Sequence, residues 1–541
     1  MKRLALACAA LGAGLMVGLT PSLADTPKQG GQMVVSFKDD MATLDPAIGY
    51  DWQNWSIIKS LYSRLMDYKA GTTELMPDLA LSYDISTDGL TYTFKLRPDV
   101  KFHNGRALTA DDVVYSINRT VNPKTQSPGA SFYHSIKGFD DVTANKAATL
   151  AGVSAVDPTT VKFELAGPDA TFLQDMALNF ASVVAKEDVE KWGADYGHHP
   201  DGSGAYFMSD WTLGQQIVLE RNKDYYWPGE PYLDKIIFQI GQEPLVSLLR
   251  LEKGEVDVLG DGIPPAKFNE VMSDPKWKDL IASGPQLQTV YITMNVQMKP
   301  FDDVRVRKAV NMAINKDRII KIINGRAIAA NQPLPSRIPG FDKDYKGYAY
   351  DPEKAKALLK DAGVADGFET ELYVTNVDPN PRIGQAIQQD LAQIGIKASI
   401  KSLDQANVIA AGGTPNTAPM VWSGGMAWIA DYPDPSDFYG PILGCGGATQ
   451  GGWNWSWYCN KDREAEAQKA DAIIDPAKQQ ERFDLWRQIF VKIMDDAPWV
   501  PVFDEVRYTM HTPRIGGDPA LFNDPIHIPV NYSHVYATDA Q

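Results

Sequence analysis

Three aspartates spaced three apart follow two tryptophans in Trp422-Ser-Gly-Gly-Met-Ala-Trp428-Ile-Ala-Asp431-Tyr-Pro-Asp434-Pro-Ser-Asp437-Phe. A short apolar strand is predicted to run out at Trp428, which puts Asp431 in the proline-rich turn beyond it. A carboxylate just past a strand end, beside aromatic rings, suits a pocket that receives a cation. Asp434 and Asp437 read as turn and cap residues. The spacing is not that of a calcium loop. Asp431 with Asp434 imitates a glycosidase pair, but two prolines and no supporting motif stand against it. His-Glu-x-x-His, Gly-x4-Gly-Lys-Ser/Thr and Gly-x-Ser-x-Gly are all absent from the sequence. Gly444 to Thr449 imitates a dinucleotide loop without its last glycine or a preceding buried strand. His198-His199 sits in a polar stretch and reads as a solvated loop. The expectation from these residues is no enzyme constellation, no cofactor and no metal.

Composition sets the class. The chain has 541 residues, 44% hydrophobic and 10% aromatic, enough for a core divided among several domains. Its net charge of −16 argues against nucleic acid and anionic lipid as partners and otherwise favours solubility. Lys2 and Arg3, then an apolar run to Leu19, then Ser22-Leu-Ala24, read as a cleavable secretory signal peptide over 1–24. Cys8 raises a lipoprotein alternative. Cys445 and Cys459 are the cysteines left in an exported chain, so a disulfide is expected, with two free thiols as the alternative. Closing so short a loop contributes about 3 kcal/mol in the chain-entropy picture.

The elements that must position these residues alternate between strand and helix. Thr91, Thr93 and Lys95 alternate with Tyr92, Phe94 and Leu96, the period of a half-buried strand. Thr109 followed by Asp112 opens a helix with Val113, Val114 and Ile117 on its apolar side. Strands are also predicted at 33–37, 217–221, 235–240, 256–258 and 291–295, and a hairpin near Gly202 to Tyr206. Helices are predicted over 54–66 and 245–254, from about Phe301, and from Asp351-Pro352 to Gly363. Glu369 to Thr375, a helix marked by Ile383, Ala386, Ile387, Leu391 and Ile394, and Ile396 to Lys401 form a β-α-β unit, which requires parallel strands.

The segment from Asp88 to Arg119 closely resembles the signature of family 5 extracellular solute-binding proteins, the dipeptide and oligopeptide receptors of ABC importers. The resemblance spans nearly the whole mature chain. It implies an α/β, two-lobed periplasmic binding protein, hinged, with the ligand between the lobes and an extra domain inserted in the first. Lobe I would comprise 25–68, 193–294 and 511–541, the insert 69–192 and lobe II 295–510, with crossings near 291–296 and 506–511. The protein would be a periplasmic monomer that captures a peptide by hinge closure and delivers it to membrane permease subunits. The family's Trp-x-x-Asp before a proline turn falls on Trp428 and Asp431, the anchor for a ligand's amino terminus. Tyr50 and Trp52 resemble the loop along the ligand backbone. Arg382 resembles the arginine that pairs a ligand carboxylate, and Phe132 a pocket aromatic of the insert. A second reading is a receptor for an oligosaccharide, opine or other small solute, with Trp52, Trp422 and Trp428 as stacking planes. The third is a secreted glycoside hydrolase. Trp453, Trp455 and Trp457 alternate and are expected to pack around Cys459.

Overall fold

The protein is described by a computed structural model over residues 27–539. The signal peptide expected at 1–24 lies outside the described residues. Among the described residues no helix is long and apolar enough to cross a membrane.

Two large sheets organise the chain. The first orders its strands Val258–Leu259, Gln32–Ser36, Lys235–Gln239, Gln216–Arg221 and Tyr206–Thr212. The pairs on either side of Gln32–Ser36 are parallel, and the remaining two are antiparallel. Met33, Val35, Ile236 and Phe238 face a core that also holds Phe522, Val530 and Tyr532 from the C-terminal segment. The second sheet orders Ala327–Ala329, Trp499–Met510, Ile281–Met294, Met420–Trp422, Phe368–Thr375 and Ile396–Leu403. Phe368–Thr375 and Ile396–Leu403 are parallel, joined by the helix Asn380–Gln393, as the β-α-β pattern requires.

A four-stranded antiparallel sheet, Ala80–Ile85, Thr91–Leu96, Thr160–Glu164 and Val153–Asp157, forms a separate unit. Tyr92, Phe94 and Leu96 are buried, as their alternation predicts, and the helix Ala110–Val121 covers the sheet with Val113, Ile117 and Val121. The Asp112 carboxylate accepts the Thr109 N–H at 2.9 Å, completing the expected cap. At the far end of this helix Arg119 donates to Asp45 Oδ1 at 2.8 Å, so the signature segment grips the loop that precedes Tyr50.

Three elements differ from the sequence expectation. The helix predicted over 54–66 is Trp52–Leu61. Beyond it, backbone oxygens are taken by distant partners, Leu61 by Gly204 N at 3.0 Å, Ser63 by Val183 N at 3.0 Å and Arg64 by Leu79 N at 2.8 Å, so the chain leaves the helix to pair elsewhere. The strand predicted at 291–295 extends back to Ile281. Its first part, Ile281 to Pro285, pairs with Met510 to Val506, and its last, Thr289 to Thr293, with Asp504 to Trp499, with register irregularities between Pro285 and Thr289 and between Val290 and Tyr291. The strand predicted to end at Trp428 stops at Trp422, because a tight turn follows.

Candidate functional site

That turn sets the site. Met426 N donates to Ser423 O at 2.7 Å, and Gly425 takes a φ of +79° that favours glycine. A Cβ on Gly424 would collide with the Trp422 indole nitrogen and with Asn380 Oδ1. The chain then lies along the strand Ile281–Met294. Ala430 N donates to Leu287 O at 2.8 Å, and Gln288 Nε2 donates to Ala427 O at 3.2 Å. Trp428, Ala430 and Asp431 thereby face a cavity of about 260 Å³.

The opposite wall comes from the other end of the sequence. Asp51 caps the helix Trp52–Leu61, accepting the N–H groups of Gln53 and Asn54 at 3.0 and 2.9 Å. Tyr50, Trp52 and Trp55 line the cavity from this side, and Ile526 and Ile528 from the C-terminal segment. Tyr50 and Asp431 meet across it. The ring of Tyr50 is partly exposed, but its hydroxyl turns inward and donates to Asp431, 2.7 Å from Oδ1 and 2.9 Å from Oδ2.

Asp431 is 6% exposed, and neither it nor Asp437 forms an ion pair with a cation among the described residues. Burial pushes its carboxyl up to about 7, against the Tyr50 and Asp437 hydrogen bonds, which lower it. Burial and the neighbouring Asp431 charge push the Tyr50 phenol well up, so it remains a donor.

Asp437 is the residue that spacing misread. It is buried, and its Oδ2 accepts the Trp428 indole N–H at 3.1 Å and the Asp431 peptide N–H at 3.0 Å. Asp434 does act as turn and cap, accepting from Ser436 N at 3.0 Å, and it is also clasped by buried Arg482 at 2.6 and 2.7 Å. Arg482 reaches Asp471 at 2.8 Å as well, which pins the turn after Asp431 to two helices.

Of the residues named from sequence, Tyr50, Trp52, Trp428 and Asp431 come together around the cavity. Trp52 packs edge-on to Phe37 at 6.2 Å, with the Arg507 guanidinium 5.0 Å from its ring. Phe132 lies one ring behind the wall, stacked on Phe180 at 6.0 Å, and Phe180 packs against Tyr50 at 5.2 Å. Trp422 does not face the cavity. It is 0% exposed in the core, donates to Asn380 Oδ1 at 2.9 Å and packs on Phe503, because its strand side faces the covering helices. Arg382 is exposed and held by Asp378 at 2.7 and 2.8 Å, outside the cavity lining. Its helix begins at Asn380, which abuts the glycine turn leading to Met426.

The disulfide between Cys445 and Cys459 is formed. Trp455 and Trp457 pack inside, as expected, but Trp453 also lines the cavity, edge-on to Trp428 at 6.1 Å and 69°. No platform of parallel indoles results from Trp52, Trp422 and Trp428, which weakens the sugar reading. Asp434, the partner expected for Asp431 in a glycosidase pair, is held by Arg482 outside the cavity lining rather than across the cavity from Asp431.

Residues 74–450 match the family of bacterial extracellular solute-binding proteins, family 5 Middle. The chain is 35% identical to the dipeptide-binding protein of Escherichia coli, over 83% of this chain and 85% of that one. It is 31% identical to di/tripeptide-binding protein 1 of Pseudomonas aeruginosa, over 93% and 94%. Among solved structures, the periplasmic binding protein DppA from Helicobacter pylori in complex with the peptide STSA aligns with a TM-score of 0.78 at 29% identity, covering 94% of this chain and 98% of that one. The unliganded open form of the murein tripeptide-binding protein MppA aligns with a TM-score of 0.74 at 25% identity, covering 94% and 97%. These relatives are binding proteins with two lobes, and the chain belongs to the family 5 extracellular solute-binding proteins.

Proposed function

We propose that this protein is the periplasmic receptor of an ABC importer, a monomer that captures a short peptide by its amino terminus and presents it to membrane permease subunits. The observation that carries this reading is Asp431, a buried carboxylate without a cationic partner among the described residues, at the wall of an aromatic cavity. A buried charge left unpaired is costly, and a ligand ammonium supplies the missing partner. The indole face of Trp428 suits the same cation. Among the described residues no lysine, arginine or histidine lines the cavity to meet the ligand's carboxylate. Arg382, exposed and paired with Asp378 outside the cavity lining, would have to exchange Asp378 for that carboxylate to serve as its partner.

The lobes close on the ribbon formed by Ile281–Met294 and Trp499–Met510. We propose crossings near 285–291 and 501–506, where the pairing register breaks twice, beside the 291–296 and 506–511 expected from sequence. Lobe I then keeps 27–68, 193–284 and 507–539, and the insert keeps 69–192.

Mass spectrometry of ligand released by unfolding the protein purified from periplasm tests this reading, followed by calorimetry with phenylalanyl-alanine and its N-acetyl form. Short peptides in the extract and preference for the free amine are expected. A neutral sugar in the extract, or equal affinity for both forms, overturns it.

A further inference from the structure

Two buried carboxylates stand side by side at the inner wall of the cavity, and only one of them faces it. Asp437 is 1% exposed and does not line the cavity. Its Oδ2 takes two donors, the Trp428 indole and the Asp431 peptide N–H, while its Oδ1 is buried with no hydrogen-bond partner. Two ionised carboxylates so close, in so dry a place, repel strongly.

We propose that Asp437 is the positioning residue of the amine anchor: one oxygen fixes both the Trp428 ring and the Asp431 backbone, and its carboxyl stays neutral so that Asp431 alone carries the charge that meets the ligand. This rests on the reading that Asp431 receives an amine.

The surroundings agree. Asp437 is faced by Asp431, Tyr50, Tyr432, Tyr68 and Asp175, all neutral or negative, and by Asp434, whose charge Arg482 already neutralises. Among the described residues no cation pairs with Asp437. Burial first, and the Asp431 charge second, push its carboxyl well above the usual range. The buried, unpartnered Oδ1 is where a neutral carboxyl would carry its proton. The division of labour is that of unequal carboxylates driven apart by their environments, one held neutral and one left ionised.

The test uses the mature protein and two variants, Asp437→Asn and Asp437→Leu. Calorimetry with phenylalanyl-alanine and N-acetyl-phenylalanyl-alanine is run from about pH 5.5 to 8. Asparagine keeps the acceptor oxygen and is permanently neutral. It is expected to bind within about threefold of the wild type, with the same pH midpoint near 7. Leucine removes the acceptor from two buried donors. It is expected to lose about tenfold or more for the free amine, from the cost of unsatisfied buried groups, and much less for the acetylated form. Asparagine losing as much as leucine, or moving the midpoint down, would mean that Asp437 is ionised and overturns the proposal. Leucine binding like the wild type, or weakening both ligand forms alike, also overturns it. If the leucine variant does not fold, the asparagine midpoint still decides. A wild type indifferent to acetylation overturns the amine anchor itself, and this inference with it.

Discussion

Replacing Asp431 by asparagine removes one charge and almost no volume. In the closed cavity the ligand's ammonium would then face a neutral amide, and the Tyr50 hydroxyl would still have an oxygen to donate to. Two unit charges about 3 Å apart attract by roughly 5 kcal/mol at an effective dielectric of about 20, before desolvation is subtracted. Truncating one partner of a buried pair costs about 2–5 kcal/mol in measured interfaces. That is about 30-fold to several-thousand-fold in affinity. The pH dependence has a definite sign. The free carboxyl sits at about 7, and a bound ammonium would hold it lower. Below pH 7 capture therefore expels a proton, and affinity falls about tenfold per pH unit until the complexed carboxyl itself protonates. Above about pH 8 the ligand's own amino group loses its proton and affinity falls again. The assay is calorimetric titration of wild type and Asp431→Asn with phenylalanyl-alanine and its N-acetyl form. The loss should fall on the free amine alone, and the variant should lose the acid limb of the profile. Equal losses for both ligands, or none, refute the anchor.

Tyr50→Phe deletes a donor that lowers the Asp431 carboxyl. Its acid limb should shift to higher pH, weakening binding at pH 7 a few-fold while sparing pH 8; titration at both values checks this. Arg482→Ala leaves buried Asp434 and half-buried Asp471 without their cation. Chemical denaturation should show a loss of about 3–5 kcal/mol, and an unchanged midpoint would refute the role of this pair in fixing the turn. Replacing Cys445 and Cys459 together by serine opens a loop that contains Trp453. A stability loss of about 3 kcal/mol and weaker ligand binding are expected, and the unfolded, unreduced mature wild type, cleaved before Asp25, should titrate no thiol.

Much of the fold was legible because its patterns are local. The alternation of Tyr92, Phe94 and Leu96, the Thr109–Asp112 cap and the strands flanking the helix Asn380–Gln393 each need only a dozen residues of context. The helix at 54–66 failed where local propensity met distant backbone donors, those of Leu79, Val183 and Gly204. In the site, Asp431 and Trp428 were readable from their motif and Tyr50 from its loop. Asp437 was hidden, since a cap and a buried acceptor look alike in sequence. Trp453 carried a signal in its alternation with Trp455 and Trp457, but nothing in that pattern says which face meets the cavity. Ile526 and Ile528 carried none, because they reach the cavity from the opposite end of the chain. Trp422 misled because a tryptophan beside a glycine turn suggests an exposed plane, whereas its hydrogen bond to Asn380 satisfies it inside the core.

The order in which the two sheets draw their strands has a consequence for how the chain acquires its shape. Gln32–Ser36 waits for partners at 235–239 and 258–259, and Ile281–Met294 waits for Trp499–Met510. Contacts of such separation are slow to form, because long loops must close before any pairing rewards them. Neither lobe can be completed while a ribosome still holds its C-terminal part. The segment after Met510 matters most, since it supplies Phe522, Val530 and Tyr532 to a core begun at Met33. The two lobes therefore close last, whereas the four-stranded unit pairs only strands within residues 80–164 and can form earlier. A chain cut after Met510 would keep every strand of the six-stranded sheet and still fail to close the lobe it began with.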